Sequence, residues 1–145
     1  MRISLTKTRF GVIILKTAVG FYRFKRIERI FLSMDCIFCK IIEGVIPSSK
    51  VYEDEDILAF NDINPQAPVH VIVIPKAHIA SMDEINGSNC ETVAKIFERI
   101  PEIAKRAGAK NGYRVISNCG EDACQSVKHL HFHILGGAPL AEKMA

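Results

Sequence analysis

Residues 129–137 read His-Leu-His-Phe-His-Ile-Leu-Gly-Gly and hold three of the chain's five histidines at strict two-residue spacing. Alternate side chains of an extended strand face opposite ways, so His129, His131 and His133 would line one face at roughly 6.5–7 Å intervals. Leu130, Phe132 and Ile134 would then face a core. The plain alternative is a half-buried strand with an incidental histidine face, although Thr, Lys or Glu is the usual choice for that task. A row of imidazoles offers nucleophiles, proton carriers and metal ligands near neutral pH.

A second constellation is Cys36-Ile37-Phe38-Cys39. It reads either as a redox dithiol or as half of a tetrahedral zinc site that needs two further nitrogen or sulfur ligands. No thioredoxin-like βαβ pattern follows it, and with no second CxxC the remaining ligands must be histidines. Upstream of the histidine row, Asn118, Gln125, Ser126 and the amides of residues 118–126 could hold an anion before the imidazoles. Taken singly, each is equally a turn former. His70, inside the apolar run 69–74, could be a satisfied core histidine, and Asp62 a turn residue.

The elements that position these groups are readable in outline. Residues 36–46 have apolar side chains at near-helical spacing and a glycine at 44, which predicts a short helix ending there. Val51-Tyr52 and residues 57–60 read as strands across an acidic turn, and the two prolines of residues 61–68 predict a loop. Residues 69–74 are rich in β-branched side chains and give the strongest strand signal in the chain. Ser88 and Glu91 predict a capping box. Val93, Ile96, Phe97, Ile100, Ile103, Ala104 and Ala107 mark one face of a helix that Pro101 should kink and Gly108 should end. Residues 113–117 form a further strand. Without βαβ alternation the class is α+β: an antiparallel sheet of about five strands, one long helix and a short N-terminal helix.

Bulk properties narrow the field. The 145 residues fit one domain, and a hydrophobic content of 48% argues against disorder. The formal charge of +3 conceals an asymmetry: residues 1–33 hold eight Lys/Arg against the single acid Glu28, whereas residues 34–145 hold 11 basic and 15 acidic side chains. Overall charge therefore gives no case for a nucleic-acid partner. The apolar stretch 11–20 is too short and interrupted for a membrane span, and no clear cleavage site follows it. The extension reads as a basic amphipathic surface helix, a transit-like segment, or translation upstream of a natural start at Met34. The last is preferred, because the recognisable domain begins there. Five cysteines without a secretory signal point to a reducing cytoplasmic location.

The segment Gln125-Ser126-Val127-Lys128 followed by the histidine row resembles the signature of the histidine-triad (HIT) superfamily. Residues 36–42, 58–79 and 112–120 resemble its Hint-like, nucleotide-binding branch in the same order, so the likeness spans about residues 35–137. It implies hydrolysis of purine nucleoside 5′-phosphoramidates or related adenosine 5′-phosphoryl conjugates, with release of AMP. Dinucleoside polyphosphate hydrolysis, or nucleotide-binding regulation with incidental turnover, is the alternative. His131 would be the nucleophile, His133 its phosphate-side neighbour and His70 the group orienting His131. Asn118, Gln125, Ser126 and Val127 would lie beside the phosphate or leaving group and Asp62 beside the ribose. Phe60, Ile63, Ile37, Phe38 and Ile41 would flank the sugar and base. The resemblance further implies structural Zn2+ on Cys36, Cys39, His78 and His129, and a homodimer. A departure is the absence of tryptophan: relatives often carry an aromatic C-terminal tail that reaches the partner's site.

Overall fold

The computed structural model describes residues 35–142, together with the backbone of residues 6–7 and 13–14. The chain divides into two units, Met1–Phe31 and Leu32–Ala145. In the first, β1 (Thr6–Lys7) pairs antiparallel with β2 (Ile13–Ile14). The readings of residues 1–33 as a surface helix, transit segment or upstream frame otherwise lie outside the described residues.

The second unit runs α1 (Ile37–Ile42), β3 (Lys50–Glu53), β4 (Ile57–Asn61), β5 (Val69–Pro75), a 3-10 turn (Met82–Glu84), α2 (Cys90–Arg106), β6 (Tyr113–Ile116) and β7 (Phe132–Gly136). Five strands form one sheet in the order β3-β4-β5-β7-β6, antiparallel throughout. This is the α+β arrangement expected from the sequence.

Both faces of the central strands are covered, which explains why residues 57–60 and 71–74 are continuously apolar. Ile57, Ala59, Val71, Val73, Leu130, Phe132 and Ile134 pack under α2 with Ile96, Ile100, Ile103 and Ala104. Leu58, Phe60, Ile72 and Ile74 pack on the other face with Phe38 and Ile41 of α1. The expected inward set Leu130, Phe132 and Ile134 is buried, at 1, 3 and 0% exposure. The histidine row, however, is not wholly a strand: β7 starts at Phe132. Residues 129–131 form the approach to it, held by the Leu130 N–H donating to the Ile79 carbonyl at 2.6 Å.

Both helices end as expected. At α2, Gly108 takes φ +94°, and the N–H groups of Gly108 and Ala109 donate to Lys105 and Ala104, satisfying carbonyls at the helix end. The helix start differs from expectation. Asn89 is the cap residue, while the Ser88 hydroxyl donates to Asn86 in the preceding turn, so no Ser88–Glu91 capping box forms. Nor does Pro101 split the helix, which continues through it to Arg106 with Pro101 on its exposed side.

Proline at this interior position still denies the Phe97 carbonyl its N–H partner. Pro101→Ala should therefore stabilise the fold by about 1–2 kcal/mol, the helix gain exceeding the lost restriction of the unfolded chain. Chemical denaturation reads the difference; an unchanged midpoint would contradict it.

Candidate functional site

On the α1 face of the sheet, register brings His70 to His133. His70 lies opposite Leu135 and Ile72 opposite His133 in the β5–β7 ladder, so His70 and His133 are diagonal neighbours on one face. Their rings meet at 2.9 Å between His70 Nε2 and His133 Nδ1. This corrects the expectation that His70 orients His131: its ring partner is His133. Asp62 Oδ2 lies 3.3 Å from the same His70 Nε2, and Asp62 Oδ1 accepts the Asn64 N–H.

Hydrogen bonds assign the tautomers. The Gln66 N–H donates to His70 Nδ1 at 3.1 Å, so the proton of a neutral His70 sits on Nε2. That proton is shared between His133 Nδ1 and Asp62, leaving the His133 proton on Nε2. Burial holds His70 below its ordinary pKa against the opposing pull of Asp62. Burial, then the neighbouring His131 and His70, lower His133 to about 4. Asp62, His70 and His133 also present three possible metal donors. As bonded, however, His70 points a proton and not a lone pair into that group, so the trio is built to hold a proton.

His131 is almost fully buried. Its Nδ1–H donates to the His129 carbonyl at 2.7 Å, which leaves the lone pair of a neutral ring on Nε2. The Ser117 hydroxyl donates to the His131 carbonyl at 2.8 Å, and the rings of His131 and His133 meet edge to face. The site can thus present an unprotonated ring nitrogen at His131 beside an N–H donor at His133. Sequence reasoning missed Ser117 and Gln66; both act through or upon the main chain, where residue type carries little signal.

The folded-state depression of His133 has a pH consequence. The neutral ring's contribution to stability is complete above about pH 6.5 and is lost as pH falls toward about 4, because the unfolded chain binds the proton first. Wild type should therefore lose stability relative to His133→Asn across that window. Parallel pH profiles from denaturant unfolding would refute this.

The second cluster lies beside the first. Cys36 Sγ is 3.5 Å from His129 Nδ1, and Cys39 Sγ is 3.6 Å from His129 Nδ1 and 3.3 Å from His78 Nδ1. All four ligand atoms fall within 4.8 Å of one another. A tetrahedral zinc with ordinary Zn–S and Zn–N bonds has sulfur–nitrogen edges of about 3.5 Å, so these spacings fit it. His129 donates Nε2–H to the Pro75 carbonyl at 2.9 Å, turning the Nδ1 lone pair toward the thiols. Without a cation, burial and then the adjacent Cys36 push the Cys39 thiol up to about 12.

The other expected contacts separate into three groups. Phe38, Ile41 and Phe60 are buried and form a floor, with the Phe38 and Phe60 rings edge to face at 5.8 Å. Ile37 and Ile63 are exposed, Ile63 completely, and Val127 packs against the floor. Asn118 is half-buried and Ser126 exposed. Gln125 is spent on bracing its own loop: its amide donates to Ala80 and Val127, and its carbonyl accepts the Gly120 N–H. It shapes the loop that carries Ser126. The paired glycines after the row are also required: a Cβ at Gly136 would lie 3.0 Å from the Gly112 carbonyl oxygen, and Gly137 takes φ +84°.

The family model described as "Scavenger mRNA decapping enzyme C-term binding" matches residues 35–144. A solved histidine triad protein from Clostridium difficile is 53% identical, with a TM-score of 0.73 over 76% of this chain and 96% of that one. A HIT family hydrolase from Clostridium thermocellum is 49% identical, with a TM-score of 0.74 over 77% of this chain and 97% of that one. A 14 kDa zinc-binding protein of Zea mays is 46% identical over 103 residues, which cover 70% of this chain and 80% of the maize protein. With its five-stranded sheet, long helix and histidine row, the chain belongs to the histidine-triad superfamily.

Proposed function

We propose that the chain is a nucleotide-binding hydrolase that cleaves purine nucleoside 5′-phosphoramidates, or related adenosine 5′-phosphoryl conjugates, through a covalent intermediate on His131. The observation that carries this reading is the His131 Nδ1–H bond to the His129 carbonyl, which frees Nε2 to act as a nucleophile. Nε2 attacks the α-phosphorus, the bond to the leaving amine breaks, and the amine takes up a proton from solvent, which the attacking water of the second step returns. Water then attacks the same phosphorus, the P–N bond to His131 breaks, and AMP leaves. The His133 Nε2–H donates to a non-bridging oxygen where charge develops. Ser126 and Asn118 flank the phosphate, Asp62 holds the ribose hydroxyls, and the base rests on Phe38, Ile41 and Phe60 between Ile37 and Ile63. Hydrolysis is also what is stated of the Clostridium thermocellum relative.

Zinc fits Cys36, Cys39, His78 and His129, and four protein ligands would give a closed structural site with no open position. The likeness to the Zea mays zinc-binding protein supports that assignment. A homodimer is supported by apolar surface on α2 and the edge strand β6, where Phe97 is 53% and Tyr113 39% exposed. No helix among the described residues is long and apolar enough to cross a membrane. A cytoplasmic location is supported by the five cysteines, none of them in a disulfide.

The test is AMP release from adenosine 5′-phosphoramidate and from diadenosine polyphosphates by one preparation. Higher kcat/KM on the phosphoramidate is expected. Preference for the polyphosphate would replace the substrate assignment, and turnover of neither would overturn the hydrolase reading.

A further inference from the structure

The two clusters share one residue and one ring. His129 contributes its ring Nδ1 to the thiol–histidine cluster, while its carbonyl accepts the Nδ1–H of His131. Its ring is pinned on the far side by the Pro75 carbonyl at 2.9 Å. The next residue, Leu130, is tied through its N–H to the Ile79 carbonyl, immediately after His78. The ring nitrogen that faces the thiols and the carbonyl that sets the His131 tautomer therefore belong to one residue, held on both sides.

Phe38 supplies the second link. It stands between Cys36 and Cys39, is 6% exposed, and sets its ring edge to face against His129 at 5.8 Å and against His131 at 5.4 Å. Holding both flanking thiols holds this ring against the His131 imidazole. Thiols and imidazoles on their own can be linked in several hydrogen-bonded arrangements. A tetrahedral ion selects one of them.

We infer that Cys36, Cys39, His78 and His129 form a positioning device for His131, transmitting metal occupancy to the nucleophile through the His129 main chain and the Phe38 ring. The inference rests on His131 being the nucleophile and on zinc occupying the cluster. It goes beyond a structural role for the ion: a cross-link alone would affect stability, whereas this arrangement sets which nitrogen of His131 carries its lone pair. Phe38 and His129 are positioning residues in this scheme.

The experiment compares the full chain loaded with zinc, the same chain stripped with a chelator, and the zinc-loaded Phe38→Leu variant, all at about pH 8, where neutral imidazole dominates. Nitrogen-15 spectra of the histidine rings, assigned with His131→Gln, report the His131 tautomer. Zinc-loaded wild type should hold a single Nδ1–H form; the stripped chain and Phe38→Leu should show mixed tautomers. With adenosine 5′-phosphoramidate, kcat should fall about 10- to 100-fold in both, over and above any rise in KM from the base contact that Phe38 also supplies. A purely base-lining role for Phe38 would instead raise KM and leave the His131 signals alone, which would overturn the proposal. Phe38→Leu keeps the comparison decisive even where stripping unfolds the chain. Failure to bind zinc would also overturn it. Absence of turnover by wild type would sink the hydrolase reading, while the His131 spectra would still decide the coupling.

Discussion

His131→Ala should reduce AMP release from adenosine 5′-phosphoramidate by at least about 10⁴-fold, since removing a covalent nucleophile leaves only binding and electrostatic stabilisation. The replacement also empties a buried position that is 3% exposed and removes the ring lying against Phe38. His131→Asn, which keeps more of the volume, should show the same loss of turnover with smaller loss of stability. Quenching with alkaline denaturant during turnover, which preserves an acid-labile P–N bond, should trap wild type carrying one AMP, and neither variant should acquire it. Retained turnover in His131→Asn, with AMP found on another residue, would move the nucleophile elsewhere. AMP binding by both variants should persist, because the proposed ribose and base contacts lie on Asp62, Phe60 and α1.

Cys39→Ser should abolish zinc binding and lower stability by more than about 3 kcal/mol, a fraction of the ~10–16 kcal/mol associated with structural zinc in small peptides. The fraction is smaller here because two apolar clusters, one on each face of the sheet, pack without the ion. Cys39 is the central member of the cluster, within 3.6 Å of His129 and 3.3 Å of His78. A chelator should bring wild type down to the level of the variant and leave the variant unchanged. Binding must also release the proton that burial and Cys36 keep on Cys39, whose pKa without a cation is about 12. Zinc affinity should therefore fall as the pH is lowered. Equal zinc content in wild type and Cys39→Ser would eliminate the site.

Much of this site was legible in residue types and their spacing. Resemblance placed His78 and His129 with the CxxC pair, and the fold brings all four together. Period-two alternation found the inward set Leu130, Phe132 and Ile134, because strand geometry sends alternate side chains to opposite faces. Gly44 and Gly108 ended their helices where a positive φ is needed, at +76° and +94°. These are local constraints, carried by a residue and its near neighbours in the chain.

Tertiary structure decided the rest. The partner of His70 is His133 and not His131 because β5 and β7 pair with His70 opposite Leu135, a register no single strand contains. Gln125 braces a loop because the Ala80 carbonyl, 45 residues away, comes within 2.7 Å. The lone pairs of His70, His129 and His131 are directed by the Gln66 amide and the Pro75 and His129 carbonyls. Every residue but proline carries the same main-chain donor and acceptor, so sequence names the imidazoles but cannot aim them. Aiming them takes the folded backbone.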